Sequence, residues 1–242
     1  FGLGALDLAR DGEAGIDGEG IVICDIETGW NFDHEDLRAM LPIGGEYDGP
    51  GDAREHGTAV MGIMLAQGGR SGLVGMVPKA RGYVSSAMID GAWNVAGAIT
   101  AATGRLHAGD VLLIELHAEP EPDEPYVAMQ YWDSVFSAIR AATEKGITVV
   151  QAAGNGGENF DRAKFANTGL QRDAGAITVG AGVPPTNYVG HEGDVEGLDR
   201  YGWLGPPRSR LWFSNCGAIV DVQAWGWNVA TLGYGDAQGG DS

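Results

Sequence analysis

The sequence predicts an α/β fold, three layers α/β/α around a mostly parallel central sheet. Three observations predict it. Largely apolar runs rich in Val, Ile and Leu fall at residues 21–24, 111–114 and 147–150, the pattern of strands buried on both faces. Segments with helical apolar spacing lie between them, the alternation that builds parallel sheets by right-handed crossovers. The carboxyl ends of the three runs carry Asp25, Glu115-Leu116-His117 and Asn155, at the sheet edge where open α/β folds gather ligands.

Taken in order, residues 1–9 read as a short apolar helix. The cluster Gly15-x-x-Gly18-x-Gly20 precedes the first strand, whereas a dinucleotide fingerprint needs its glycines after the strand, so a Rossmann cofactor site is excluded. No phosphate-loop motif occurs. The first strand, 21–25, ends at Asp25. Residues 31–37 hold adjacent acids and His34, which point different ways on any regular element; a solvated loop is expected rather than a metal site. Residues 51–55 read as loop. A helix over 56–65 follows, apolar at 60, 61, 64 and 65, with His56 at its N-terminus.

A turn at 75–80 leads to a strand at 82–88, then an amphipathic helix at 93–107. The strand at 111–114 runs into residues 115–117. The acidic, proline-rich 119–125 is an exposed loop. A long helix over 127–145 buries Val127, Met129, Trp132, Val135, Phe136 and Ile139, and Gly146 stops it. The strand at 147–150 continues through Gln151-Ala152-Ala153 to Gly154-Asn155-Gly156-Gly157. A strand at 176–180, an irregular stretch at 183–211 and a strand at 218–222 complete the pattern.

The 242 residues suffice for one sizeable core, and a single domain spanning 1–242 is expected. A net charge of −18 would repel phosphate backbones, so nucleic-acid binding is excluded. No apolar run is long enough for a membrane span. No signal peptide is present, and Phe1 in place of Met suggests that residues before it were removed or omitted. Cys24 and Cys216 do not make a disulfide framework and are expected free.

An acid, a histidine and an asparagine fit acyl transfer. The acid would orient a histidine and stabilise its protonated form. The histidine would take a proton from a nucleophile, and the asparagine amide would donate to an oxyanion. Five stretches carry a resemblance to the subtilases, the subtilisin-like serine peptidases. They are Ile21-Val22-Ile23-Cys24-Asp25 with Thr28-Gly29 and His34-Glu35-Asp36-Leu37; His56-Gly57-Thr58-Ala59-Val60-Met61-Gly62; Gly75-Met76-Val77-Pro78-Lys79-Ala80; Ala152-Ala153-Gly154-Asn155-Gly156; and Phe213-Ser214-Asn215-Cys216-Gly217 with Val220-Asp221-Val222.

The resemblance implies a subtilisin-like fold and a serine endopeptidase acting on polypeptides as a secreted or extracellular monomer. It implies triad roles for Asp25 and His56 and an oxyanion role for Asn155. Glu115, Leu116 and His117 would pair with substrate backbone, and Ala152, Ala153 and Gly154 would line the pocket. No cofactor is expected; the resemblance allows a structural calcium, its ligands unassigned. An inactive subtilisin-like binding module is the alternative.

Several residues depart from the family pattern. Ile26 and Glu27 stand as an insertion between Asp25 and Thr28-Gly29, Glu115 and His117 replace small residues, and Trp225 replaces a turn proline. The family's Gly-Thr-Ser nucleophile motif has no match, and Ser242 lacks its context. The sequence therefore reads as stopping before the serine segment, with residues after about 226 weakly anchored.

Overall fold

The computed structural model describes residues 17–37, 39–47, 49, 51–68, 73–184, 198–199, 202–203, 205–227 and 229–233. The expected helix at 1–9 and Ser242 lie outside them. The strands are β1 (Val22–Glu27), β2 (Leu41–Gly44), β3 (Arg81–Ser86), β4 (Met88–Ile89), β5 (Ala92–Trp93), β6 (Val111–Ile114), β7 (His117–Ala118) and β8 (Val127–Ala128). They continue with β9 (Thr148–Ala152), β10 (Ile177–Gly182), β11 (Leu198–Asp199), β12 (Gly202–Trp203) and β13 (Val222–Trp225). Among the described residues the helices are α1 (Gly51–Leu65), α2 (Val95–Arg105) and α3 (Asp133–Glu144), with short 3-10 turns elsewhere.

Seven of these strands make the mostly parallel central sheet, and the α/β class stands as read. The chain divides into two compact units, one from Phe1–Glu115, Ala141–Thr148 and Thr231–Ser242, the other from Leu116–Arg140 and Val149–Ala230.

In the first unit the strand order is β6-β1-β3-β2, all parallel. β1 is buried at every position because it lies centrally with apolar Val22, Ile23 and Ile26 on its faces. Its core joins Ile23, Trp30, Leu37, Met40, Met61, Leu65, Val84 and Leu232. Asn94 caps α2 by accepting the Gly97 N–H at 2.8 Å. In the second unit β10 pairs in parallel with β9 and β13. Its core gathers Val127, Ala128, Phe160, Phe165 and Leu170. Gln151 Nε2 donates to Gln130 Oε1 and to Thr178 Oγ1 (3.0 Å), while the Gln151 Oε1 is buried without a hydrogen-bond partner among the described residues.

Several elements differ from the sequence reading. β1 runs two residues past Asp25, because Ile26 is as apolar and as fully buried as the residues before it. α1 begins at Gly51, not 56, with Asp52 favourably placed in its first turn, so His56 stands in the helix's second turn. Residues 127–132 are not α-helical: Val127–Ala128 pairs antiparallel with His117–Ala118, and a 3-10 turn precedes α3. The last strand starts at Val222, not 218, because residues 217–220 close a turn through Val220 N–H to Gly217 O. The weak anchoring expected after about 226 does not hold for 231–233. Leu232 is buried, Thr231 Oγ1 donates to Ala59 O, and Gly62 and Gly233 let this segment lie directly on α1. Both cysteines are free, as expected.

Candidate active site

In the first unit, the carboxyl end of β1 and the helix α1 meet through two glycines. A Cβ on Gly57 would collide with the Gly29 carbonyl and the Trp30 ring; one on Gly29 would come within 3.1 Å of the Arg54 nitrogen. Only glycines allow this close a crossing. Buried Thr58 bolts it: its hydroxyl donates to Arg54 O (2.7 Å) and accepts the Asn31 N–H (2.8 Å). The residue before Gly57 is thereby carried over the end of β1.

That residue, His56, does not pair with Asp25 as expected. Its Nδ1 lies 2.7 Å from Glu27 Oε1. Asp25 is fully buried, and its Oδ2 accepts the Trp30 Nε1–H at 2.9 Å. The reason is the strand's length. With Ile26 inside β1, Asp25 falls mid-strand and Glu27 takes the sheet edge. Glu27 directly adjoins Thr28-Gly29.

Ile114 on β6 pairs with Ile26 on β1, so Glu115 emerges beside Glu27 at the same edge. Asp25 and Glu27, two apart on one strand, share a face. Three carboxylates thus bear on one imidazole. The close Glu27 partner, helped by the charges of Asp25 and Glu115, raises the His56 pKa to about 9. Burial pushes the Glu115 carboxyl up to about 7, against the pull of His56. Burial also raises Asp25 well above the usual carboxylate range, with Glu27's charge adding to it. Glu27 itself is raised by burial, opposed by its bond to His56. His56 keeps 43% of its side chain exposed, so the imidazole is accessible while Glu27 lies buried beside it.

The remaining candidates lie in the second unit. Leu116 is buried, and His117 begins the short β7. Ala152 closes β9, and Ala153 N–H donates to Val179 O (2.9 Å). Gly154 takes φ +87°, which turns the chain into exposed Asn155. The Asn155 N–H donates to His117 Nδ1 at 3.2 Å, and the His117 ring stacks on Tyr126 with centroids 4.3 Å apart. The structure therefore brings Asp25, Glu27, His56 and Glu115 together in one unit. In the other it brings together Leu116, His117, Ala152, Ala153, Gly154 and Asn155. Among the described residues, no group of three or more His, Cys, Asp or Glu side chains is arranged to hold a metal ion, and no helix is long and apolar enough to cross a membrane.

Comparison with known proteins gives the same direction. The family model for Peptidase_S8, the subtilase family, matches residues 18–231. Among solved structures, a cold-adapted subtilisin-like serine proteinase is similar at 20% identity and TM-score 0.59, over 89% of this chain and 66% of that one. A protease from Pseudoalteromonas arctica PAMC 21717 is similar at 21% identity and TM-score 0.59, over 91% and 66%. The psychrophilic subtilisin-like protease Apa1 from the Antarctic psychrotroph Pseudoalteromonas sp. AS-11 is similar at 18% identity and TM-score 0.57, over 92% and 45%. This chain thus spans less than two thirds of the length of each. No curated protein matches the sequence.

Proposed function

The chain belongs to the subtilase family, and from that premise we propose that it is a serine endopeptidase domain in which Glu27, rather than Asp25, is the acid that orients His56. The observation that carries this reading is the 2.7 Å approach of His56 Nδ1 to Glu27 Oε1. A carboxylate on Nδ1 fixes the tautomer and stabilises the imidazolium, and it leaves Nε2 to take a proton from a serine hydroxyl. Asn155 supplies the oxyanion donor from the turn after β9. Glu115, Leu116 and His117, with Ala152, Ala153 and Gly154, line the polypeptide substrate. The working protein is a secreted monomer with one peptidase domain. The nucleophile that His56 serves in this reading is a serine hydroxyl.

The test uses two proteins, this chain alone and this chain continued through the next Gly-Thr-Ser motif, each exposed to a serine-reactive phosphonate. Labelling of the longer protein only, lost on His56→Ala, is the expected result. Labelling of Ser242 in the shorter one would move the nucleophile. No labelling of either, with both folded, would favour an inactive binding module.

A further inference from the structure

We propose that Asn215 is a positioning residue that fastens both ends of the 154–157 turn and so fixes where Asn155 presents its carboxamide; this rests on the oxyanion role given to Asn155 above. The turn needs fastening. Gly154 and Gly157 both adopt positive φ, +87° and +66°, and glycine-rich backbone has little side-chain packing of its own to hold it.

Asn215 supplies the hold from a position only 1% exposed. Its Nδ2 donates to Ala153 O at 2.7 Å and to Tyr126 O at 2.8 Å. Its Oδ1 accepts the Glu158 N–H at 2.8 Å, and its own N–H donates to Gly154 O at 3.0 Å. Ala153 and Gly154 precede Asn155, and Glu158 follows it, so one side chain ties down both sides. The neighbouring backbone reinforces this: Gly157 N–H donates to Phe213 O (2.7 Å), and Cys216 N–H to Glu158 O (2.8 Å).

The residue type is dictated. Two N–H donors and one carbonyl acceptor in a single short plane exist only in asparagine; aspartate lacks the donors and serine has one. Gly154 is part of the fit, because a Cβ there would stand 3.0 Å from Asn215 Nδ2. Tyr126, whose carbonyl the amide grips, also stacks on the imidazole that receives the Asn155 N–H. Asn155 is thus held through its own backbone by His117, and at the ends of its turn by Asn215.

The experiment has two arms. In the chain as it stands, NMR should find the Asn215 side-chain amide protons and the Glu158 N–H exchanging far more slowly than the exposed Asn155 carboxamide. Equal rates would overturn the proposal, whether or not the protein is a peptidase. In the full-length protein, Asn215→Ser and Asn215→Asp should lower kcat by about 10- to 100-fold, the scale of a small misplacement of a catalytic group, with KM within about two-fold. Because Asn215 acts through Asn155, the double variant with Asn155→Ala should be no slower than Asn155→Ala alone. Losses that multiply, or a lower Tm with unchanged kcat, would overturn it. Should the wild-type protein show no turnover, the peptidase reading falls and the exchange arm alone decides the clamp; the same arm decides if the variants do not fold.

Discussion

Replacing Glu27 with glutamine should return the His56 pKa most of the way from about 9 toward the ordinary value of 6.5, because the Glu27 bond is the largest of the influences raising it. An amide keeps the shape and loses the charge. Loss of the orienting carboxylate in a serine peptidase costs on the order of 10⁴-fold in kcat, and a drop of about 10³- to 10⁴-fold in kcat/KM is expected here. Asp25→Asn should behave differently. Burial already holds Asp25 toward its neutral form, and an asparagine oxygen can still accept from Trp30. Its kcat/KM should stay within a few-fold, and a histidine NMR titration of both variants separates the two acids. In the parent, a base that titrates near 9 places the acid limb of the kcat/KM profile near pH 9, above that of an unperturbed histidine. Composition alone could not choose between Asp25 and Glu27. The choice depends on where β1 ends, and one buried isoleucine moves that end by two residues.

At the level of elements, the crossing of β1 and α1 is the part that cannot move. Gly57→Ala would drive a methyl into the Gly29 carbonyl and the Trp30 ring, so the helix must shift and carry His56 off Glu27. Overpacking of this kind costs about 1–3 kcal/mol, and activity should fall with it. Gly104→Ala is the control. It is exposed near the end of α2, nothing lies within 4 Å of the added carbon, and helix propensity predicts a gain of about 0.5–1 kcal/mol. Thermal melts and turnover of the two variants check the pair. The apolar strands were legible because full burial leaves an unbroken run, as in β6 with its Leu112, Leu113 and Ile114. The short elements were not. Val127–Ala128 reads as the first turn of α3 by spacing, yet tertiary pairing with His117–Ala118 overrides it. The exposed β2 has no apolar alternation to announce it.

The whole molecule combines a charge of −18 with three carboxylates, Asp25 and Glu27 of them buried, around one histidine, and together these should reverse the usual response of stability to pH. A carboxylate that gains a partner normally has a depressed pKa and adds stability as pH rises. Among the described residues Asp17, paired with Lys79 at the surface, is lowered in this way, and exposed pairs contribute little. Asp25, Glu27, Glu115 and His56 are all raised instead. The native state therefore holds protons that the unfolded chain releases. For Glu115 the contribution is complete below about 4.5 and is lost as pH climbs through about 7. For His56 it is complete below about 6.5 and is lost through about 9. Both slopes have the same sign, and self-repulsion of a strongly acidic chain adds to them. The urea midpoint should therefore fall steadily from about pH 4.5 to 9. Glu115→Gln should flatten the part between 4.5 and 7 and leave the fall above 7 in place. Glu27→Gln should flatten the upper part, since it removes the main reason for the raised histidine. A midpoint that rises with pH over this range would mean that the carboxylates do not share one buried site with His56.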